Sequence, residues 1–563
     1  MRPAWRFDSV PMIASEPLHH FVGDYLSHLY ETNPSAATFD GVHAYDDLLE
    51  NLDRGAIDAD VQALSGLARR LAAISTDSLT GDERVERPMI AAHIQGRLLE
   101  LEKVRTWERS PQLYGELLGT SLAGQALFDY APAEERARRV LSKLRQAPRF
   151  IQSARDNIKD PPGIFVKIGL ETLRGTVRFI ESDLPKAFAD VDDLGLLGDL
   201  ADAQTEAIEA LRAYIAHLEG EVGPKARASF RLGADRFAAK LRLEEGIEIP
   251  LGRLLEIGLR ELNAVQEEFR QTAARVGPGD PAEVWARVKA HRTPEHGVVQ
   301  AAREQIEELA RFIRRKDLVS IPPCEPVVVA ATPDFFRWSF ASMWTPGPFE
   351  ARPTRAYYYL TEADPSWPAD RRVEHLRDLA VPALWSISMH EVYPGHFLHF
   401  QHLRQVESRA RRSLLLAPAS FIEGWAHYCE HMMIEAGFEK QDPAVRLGQL
   451  AEALIRIARL VVAIRLHAED MSVEQGVRFF REEAFLEEST ARREAERGTF
   501  DPSYVVYTAG KLMLLKLRED CKAQAGAEFS LKGFHDRLLR NGLATFHAHR
   551  QFMLGDGAGA VME

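Results

Sequence analysis

Two histidines, two glutamates and a proline–glycine step are the residues best suited to chemistry. Ser386-Ile387-Ser388-Met389-His390-Glu391-Val392-Tyr393-Pro394-Gly395-His396 joins a His-Glu step to a second histidine shortly downstream. That combination is the core of a zinc hydrolase site. Neutral imidazoles bind zinc, a carboxylate completes a three-ligand set, and water takes the open fourth position. The glutamate beside the first histidine, Glu391, then takes a proton from that water as general base. The spacing is unusual, because the histidines stand at i and i+6 rather than i and i+4. On an unbroken helix, at ~100° per residue, His396 would point about 240° away from His390 and share no metal with it. Pro394 removes an amide donor and clashes with the preceding turn, and Gly395 tolerates unusual dihedrals. A local bulge of two residues is therefore expected, returning His396 to the face of His390.

A third ligand must come from elsewhere, and Ile422-Glu423-Gly424-Trp425-Ala426-His427-Tyr428-Cys429-Glu430 is the best source. This segment resembles the Asn-Glu-Gly-Phe-Ala-Ser-Tyr helix of aminopeptidase N-like enzymes, in which the glutamate before glycine binds zinc. Glu423 occupies that place. His427 and Glu430 fall at i+4 and i+7 from it, on the same helical face, where either could orient a ligand. His399 and His402 read as surface or orienting residues, rivals to His396 only if the bulge is absent. An oxyanion needs further donors. Tyr504, Tyr507, His467 and Lys511 are the candidates, and Tyr507 is favoured because Lys511 lies one turn after it on the same face.

The elements that must position these groups are mostly helices. Ile208, Leu211, Ile215 and Leu218 follow the stripe of an amphipathic helix, as do Leu450, Leu454, Ile457, Val461 and Ile464. Asp160-Pro161-Pro162-Gly163 and Pro278-Gly279-Asp280-Pro281 read as loops. Ile321-Pro322-Pro323-Cys324-Glu325-Pro326 is the strongest break. Val327–Ala331 and Ala356–Leu360 after it are β-branched or aromatic runs that read as strands. Between them lies an irregular aromatic segment, Phe335–Phe349, and helix resumes near Glu374. The expected order is a helical half over 1–320, then a small sheet and a metal-binding helical half over 321–563.

Composition narrows the classes. With 70 Lys and Arg against 83 Asp and Glu, the chain carries a formal charge of −13 and should repel phosphate backbones, so nucleic acid is not expected as a partner. Three widely spaced cysteines suit a reducing compartment. The opening MRPAWRFDSVPMIASEP holds no apolar core of signal-peptide length. The most apolar run, Leu454–Leu466, is interrupted by Arg456, Arg459 and Arg465, so no membrane span is expected. These features predict a cytoplasmic protein with no membrane partner. A nucleophile elbow and a phosphate loop are both absent. Gly555-Asp556-Gly557-Ala558-Gly559 has no following helix and reads as a frayed tail.

Taken together, His390–His396, Glu423–Glu430, the opening Pro34–Thr38 with Gly41–Asp46, the segments Leu466–Ala468 and Met471–Gly476, and Tyr507–Leu512 resemble the bacterial domain-of-unknown-function 885 family over nearly the whole chain. A glutamine often stands three places after the second histidine in that family, where this chain has His399. The resemblance implies a zincin-like, mainly helical fold with a small sheet beside a deep cleft, similar to angiotensin-converting enzyme and thimet oligopeptidase. Dipeptidyl peptidase III also has the longer gap between histidines. It further implies one zinc per chain on His390, His396 and Glu423, and hydrolysis of short peptides or amides with Glu391 as base. In zincins an edge strand pairs with extended peptide, which points to Tyr357, Tyr358 and Tyr359. Two other readings remain at this stage. Two histidines and a carboxylate also describe non-haem iron(II) oxygenases, although these need no base beside a ligand and are usually β-barrels. A non-catalytic metal-binding or interaction protein is the other, against which the presence of both Glu391 and Glu423 argues.

Overall fold

Apolar residues at helical spacing account for most of the architecture. The computed structural model describes residues 16–562, apart from 295, 325, 333–340, 353–354, 365, 439–441 and 556–558. The start of the N-terminal opening, part of the aromatic segment and the middle of the glycine-rich tail therefore lie outside the described residues. What is described is mainly helical, with one small mixed sheet.

The Pro443–Ala468 helix runs through the core. Asp442 caps it, accepting from the Ala444 amide at 3.0 Å, and Pro443 suits a first turn that has no use for an amide donor. Leu450, Leu454, Ile457, Val461 and Ile464 are each at most 1% exposed. Burying such a side chain contributes about 1.5–3 kcal/mol. The helix is buried on its other faces as well, because it packs against both Leu251–Val276 and Val381–Glu391. The earlier stripe lies along Leu194–His217, with Ile208 and Leu211 buried and Leu218 just beyond its end. One core cluster joins Leu309 and Phe312 to Met389, Trp425, Leu460 and Leu514, across the proline-rich break.

The sheet corrects one expectation. Strands β1 (Val328–Ala331), β2 (Ala341–Trp344) and β3 (Tyr357–Leu360) lie in the order β1-β3-β2. Strand β3 is parallel to β1, with Val329 opposite Tyr358, and antiparallel to β2, with Met343 opposite Tyr358. The tyrosine strand is thus central, and both its edges are taken. Strand β2 lies inside the segment expected to be irregular. Its Ala-Ser-Met-Trp sequence contains no β-branched residue, the feature on which strand reading leans. Side chains alternate across β3. Tyr358 points to the 381–391 helix, its hydroxyl 3.2 Å from Ser388 Oγ. The Tyr357 and Tyr359 rings stack, 5.3 Å apart.

His43 joins the N-terminal helices to the segment before β3. Nδ1 lies 2.8 Å from Asp46 and Nε2 2.9 Å from Glu350, and the ring stacks on Tyr130 at 3.6 Å. Burial opposes its charge, but the two carboxylates outweigh this and push it up to about 9 from 6.5. A raised imidazole stabilises the fold fully below its unfolded value, and that stability is lost as pH rises through the folded one. His43→Gln is therefore expected to be most destabilising below 6.5, its deficit shrinking as pH rises from 6.5 toward about 9 and vanishing above that. Urea unfolding of both proteins across this range checks it. A deficit that does not vary with pH would mean the folded ring is neutral.

Candidate metal centre

The histidines are brought together by a helix end and a restart, not by a bulge. Val381–Glu391 stops at Glu391, and His396–Leu403 begins a new helix. Between them the Tyr393 amide reaches back to Ser388 O at 3.3 Å and the Gly395 amide to Met389 O at 3.0 Å, closing the first helix. The Tyr393–Pro394 peptide is cis. Gly395 is required for space and not for a left-handed backbone. Its φ is −71°, whereas a Cβ there would lie 1.7 Å from the His390 carbonyl oxygen. The Trp425 indole donates to Pro394 O at 3.0 Å, tying this turn to the Ala419–Glu435 helix.

The result is a cluster of two imidazoles and a carboxylate. The rings of His390 and His396 are 4.7 Å apart and perpendicular. Their Nε2 atoms lie 3.3 and 3.5 Å from one oxygen of Glu423, Oε2. That oxygen is buried and has no hydrogen-bond partner. One ligand atom from each residue lies within 4.8 Å of the others, so the group could hold a metal ion. The donor set suits zinc and several other first-row divalent ions. Burial alone would raise the Glu423 carboxyl, but the two histidines hold it well below the usual range.

The Glu423 helix is placed by an unusually close crossing. A Cβ on Gly424 would meet Gly510 Cα at 2.6 Å, and one on Gly510 would meet Ser420 O at 1.9 Å. The Ala419–Glu435 and Val506–Ala525 helices therefore touch backbone to backbone, which brings Tyr507 beside the cluster. Its ring lies 6.3 Å from that of His390 and near-parallel to it. Arg459 covers the Tyr507 ring at 5.0 Å, and Arg497 comes to 3.5 Å of the hydroxyl. Burial and the nearby Glu423 raise the phenol, and the two arginines oppose them.

Glu430 orients the first histidine. His390 Nδ1 donates to Glu430 Oε1 at 2.8 Å, which turns Nε2 toward Glu423. Ser386 Oγ donates to the other oxygen at 2.8 Å, and Arg456 approaches Oε1 at 3.2 Å. Desolvation would raise this buried carboxyl, but Arg456 and the histidines keep it well below its ordinary range. For His390, burial is overcome by Glu423 and Glu430, which push it up to about 9. Glu391 is half-buried at the end of its helix, next to His390.

Other residues named from the sequence lie elsewhere or serve packing. His467 does not face the cluster. Its Nε2 bonds to Gly498 O at 2.7 Å and its Nδ1 accepts from the Leu232 amide at 3.3 Å, so both nitrogens serve the backbone. It also lies eleven residues beyond Arg456, roughly 16 Å along the same helix at ~1.5 Å per residue. Lys511 is buried, with its ammonium 3.4 Å from Glu261. Tyr504 is fully buried and its hydroxyl has no hydrogen-bond partner. His427 is fully buried, its Nδ1 3.5 Å from Glu430, and burial drives it down to about 3. His399 stands outside the cluster, edge-on to Phe421 at 5.0 Å, with neither nitrogen hydrogen-bonded. His402 is buried as well, bonded to Ser320 O at 2.8 Å. Ser386, Trp425 and Arg456 also support the cluster, in roles that no sequence motif marks. The one available signal was a charged residue, Arg456, inside the most apolar stretch of the chain.

A mainly helical chain that gathers two histidines and a glutamate from separate helices defines a class, that of candidate metal-site proteins. The chain belongs to the family described as "Bacterial protein of unknown function (DUF885)", which it matches over residues 34–551. Two solved structures share the fold. One is titled "The structure of a putative lipoprotein of unknown function from Shewanella oneidensis", with TM-score 0.79, 24% identity, and 95% of this chain and 99% of that one covered. The other is titled as the "putative lipoprotein from Colwellia psychrerythraea", with TM-score 0.79, 18% identity, and 96% and 99% covered. No curated protein matches the chain. The expected cytoplasmic location does not stand, because the two structures just named are each described as a "putative lipoprotein". Among the described residues no helix is long and apolar enough to cross a membrane.

Proposed function

We propose that this chain is a zincin-like, zinc-dependent hydrolase acting on short peptides or amides. The observation that carries the reading is the convergence of His390 Nε2 and His396 Nε2 on Glu423 Oε2, with Glu391 directly beside the first ligand. His390, His396 and Glu423 would hold the ion, which when bound polarises the scissile carbonyl and acidifies water. Glu391 accepts the proton of the attacking water and passes it to the leaving nitrogen. The Tyr507 hydroxyl donates a hydrogen bond to the oxyanion as it develops. Glu430 keeps the proton of His390 on Nδ1, leaving Nε2 as a lone-pair donor. The descriptions of the two structures named above as "putative lipoprotein" support a location in the cell envelope.

Metal content by mass spectrometry tests the site. Near one zinc per chain is expected, lost in both His390→Ala and Glu423→Ala. Iron in its place would favour oxygenase chemistry, and no metal after zinc reconstitution would end the hydrolase reading. Glu391→Gln is expected to keep its zinc while peptide hydrolysis falls by about 10²–10⁴-fold. Unchanged turnover in a zinc-loaded variant would remove Glu391 from the chemistry.

A further inference from the structure

A concave site outside the proposed metal ligands lies between the Pro34–Asp40 helix, the Pro111–Leu127 helix and the segment leading into the Glu423 helix. It is a cavity of about 400 Å³, within the range that holds small ligands. Phe39, Leu113, Leu117, Leu414 and Leu415 form its apolar wall. Two carboxylates line it, Glu50 and Glu116, and none of the described lining residues is a cation.

These carboxylates differ. Glu50 is buried, accepts from the amide and hydroxyl of Ser35 at 2.9 Å, and has the buried Lys143 as a nearby countercharge. Glu116 is accessible at the cavity wall. The neutral Gln112 amide lies 2.5 Å from it, and the like charge of Asp501 acts on it. It is the uncompensated charge of the cavity.

Three chains of interaction lead from the cavity toward elements that pack around the metal centre. The Phe39 ring is 5.6 Å from that of Trp344, the last residue of β2. Leu414 and Leu415 lead directly into the helix that carries Glu423. Asp501, whose charge reaches Glu116, accepts from Arg497 at 2.8 Å, and Arg497 in turn approaches the Tyr507 hydroxyl. From this arrangement we infer that the cavity is a subsite for a protonated amine on an apolar body, with Glu116 as its countercharge. Such a ligand is the amino-terminal residue of a peptide. Its place on the substrate path rests on the hydrolase reading, whereas the recognition of the amine does not.

Calorimetric binding to full-length Glu391→Gln protein near pH 7 separates the two. The probes are L-leucinamide, whose α-amine is largely protonated there, and N-acetyl-L-leucinamide, which has the same side chain and no charge. Leucinamide is expected to bind about tenfold or more tightly than its acetylated form, corresponding to ~1.4 kcal/mol. Glu116→Gln should abolish that preference, and adding His390→Ala should leave it intact. Equal binding of the two probes, no binding of leucinamide, or a preference that survives Glu116→Gln would overturn the inference. The acetylation comparison needs no change at Glu116, so a folding defect in that variant cannot mask the answer. If zinc and hydrolysis are absent yet acetylation still abolishes binding, the hydrolase reading fails and the amine site stands. Hydrolysis that is indifferent to acetylation, with equal binding of both probes, removes the amine site alone.

Discussion

Glu430→Ala is expected to weaken zinc affinity by about 10–100-fold and to destabilise the fold by about 3 kcal/mol. Both effects have one origin. The carboxylate accepts a hydrogen bond from His390 Nδ1 at 2.8 Å and also faces Arg456 at 3.2 Å, in a place with no solvent access. Without it the His390 ring loses the partner that aims Nε2 at Glu423, and a buried guanidinium loses its nearest interior countercharge. Glu452, 2.9 Å from the other side of Arg456, keeps part of the compensation, which sets the stability loss at the lower end of the range for a broken buried pair. Glu430→Gln should separate the two effects, because an amide oxygen can still accept from Nδ1 while carrying no charge. Competition titration against a chromophoric chelator reads the affinity, and urea unfolding reads the stability. Full affinity in Glu430→Ala would show that His390 is oriented by packing alone.

The second large effect is expected from one added methyl group. In Gly395→Ala the new Cβ would lie 1.7 Å from His390 O and 2.5 Å from Met389 O. Neither carbonyl can swing aside cheaply, since the Met389 oxygen accepts the Gly395 amide that closes the helix. The turn must open, carrying His396 away from His390. Purified Gly395→Ala protein is expected to hold less than about a tenth of the wild-type zinc and to lose about 2–4 kcal/mol of stability. Wild-type metal content in this variant would mean that the turn relaxes without moving either ligand.

The three residues proposed as ligands were visible in the sequence because their types are rare in combination and their neighbours are specific. The helical character was visible for a similar reason, since an apolar stripe such as Leu450 to Ile464 survives any tertiary arrangement. How the chain brings the histidines together was not. Pro394 and Gly395 show only that a regular helix cannot continue, and both a bulge and a break satisfy that condition. The break is held by Trp425 reaching Pro394 O and by the bare backbone of Gly395, contacts between atoms that no local pattern links. The central position of Tyr357–Leu360 was hidden because its second neighbour, Ala341–Trp344, has no strand signature of its own. Arg456 was legible only as an interruption of an apolar run. In the folded chain it is the charge that makes a buried Glu430 tolerable. His467 looked chemical because it is a histidine in the right half of the chain, yet both its ring nitrogens bond to backbone groups.

The joint between the histidine helices bears on how the proposed ion would be acquired. His390 is held by Glu430, the turn before His396 by Trp425, and Glu423 by the contact of Gly424 with Gly510, all without help from a metal. In zinc fingers, by contrast, the unloaded chain has no structure to return to. With the proposed ligands held in this way, loading is expected to occur late, on a finished fold. Chelation should empty it without unfolding it, and the same molecules should be refilled by simple exchange with the surrounding medium.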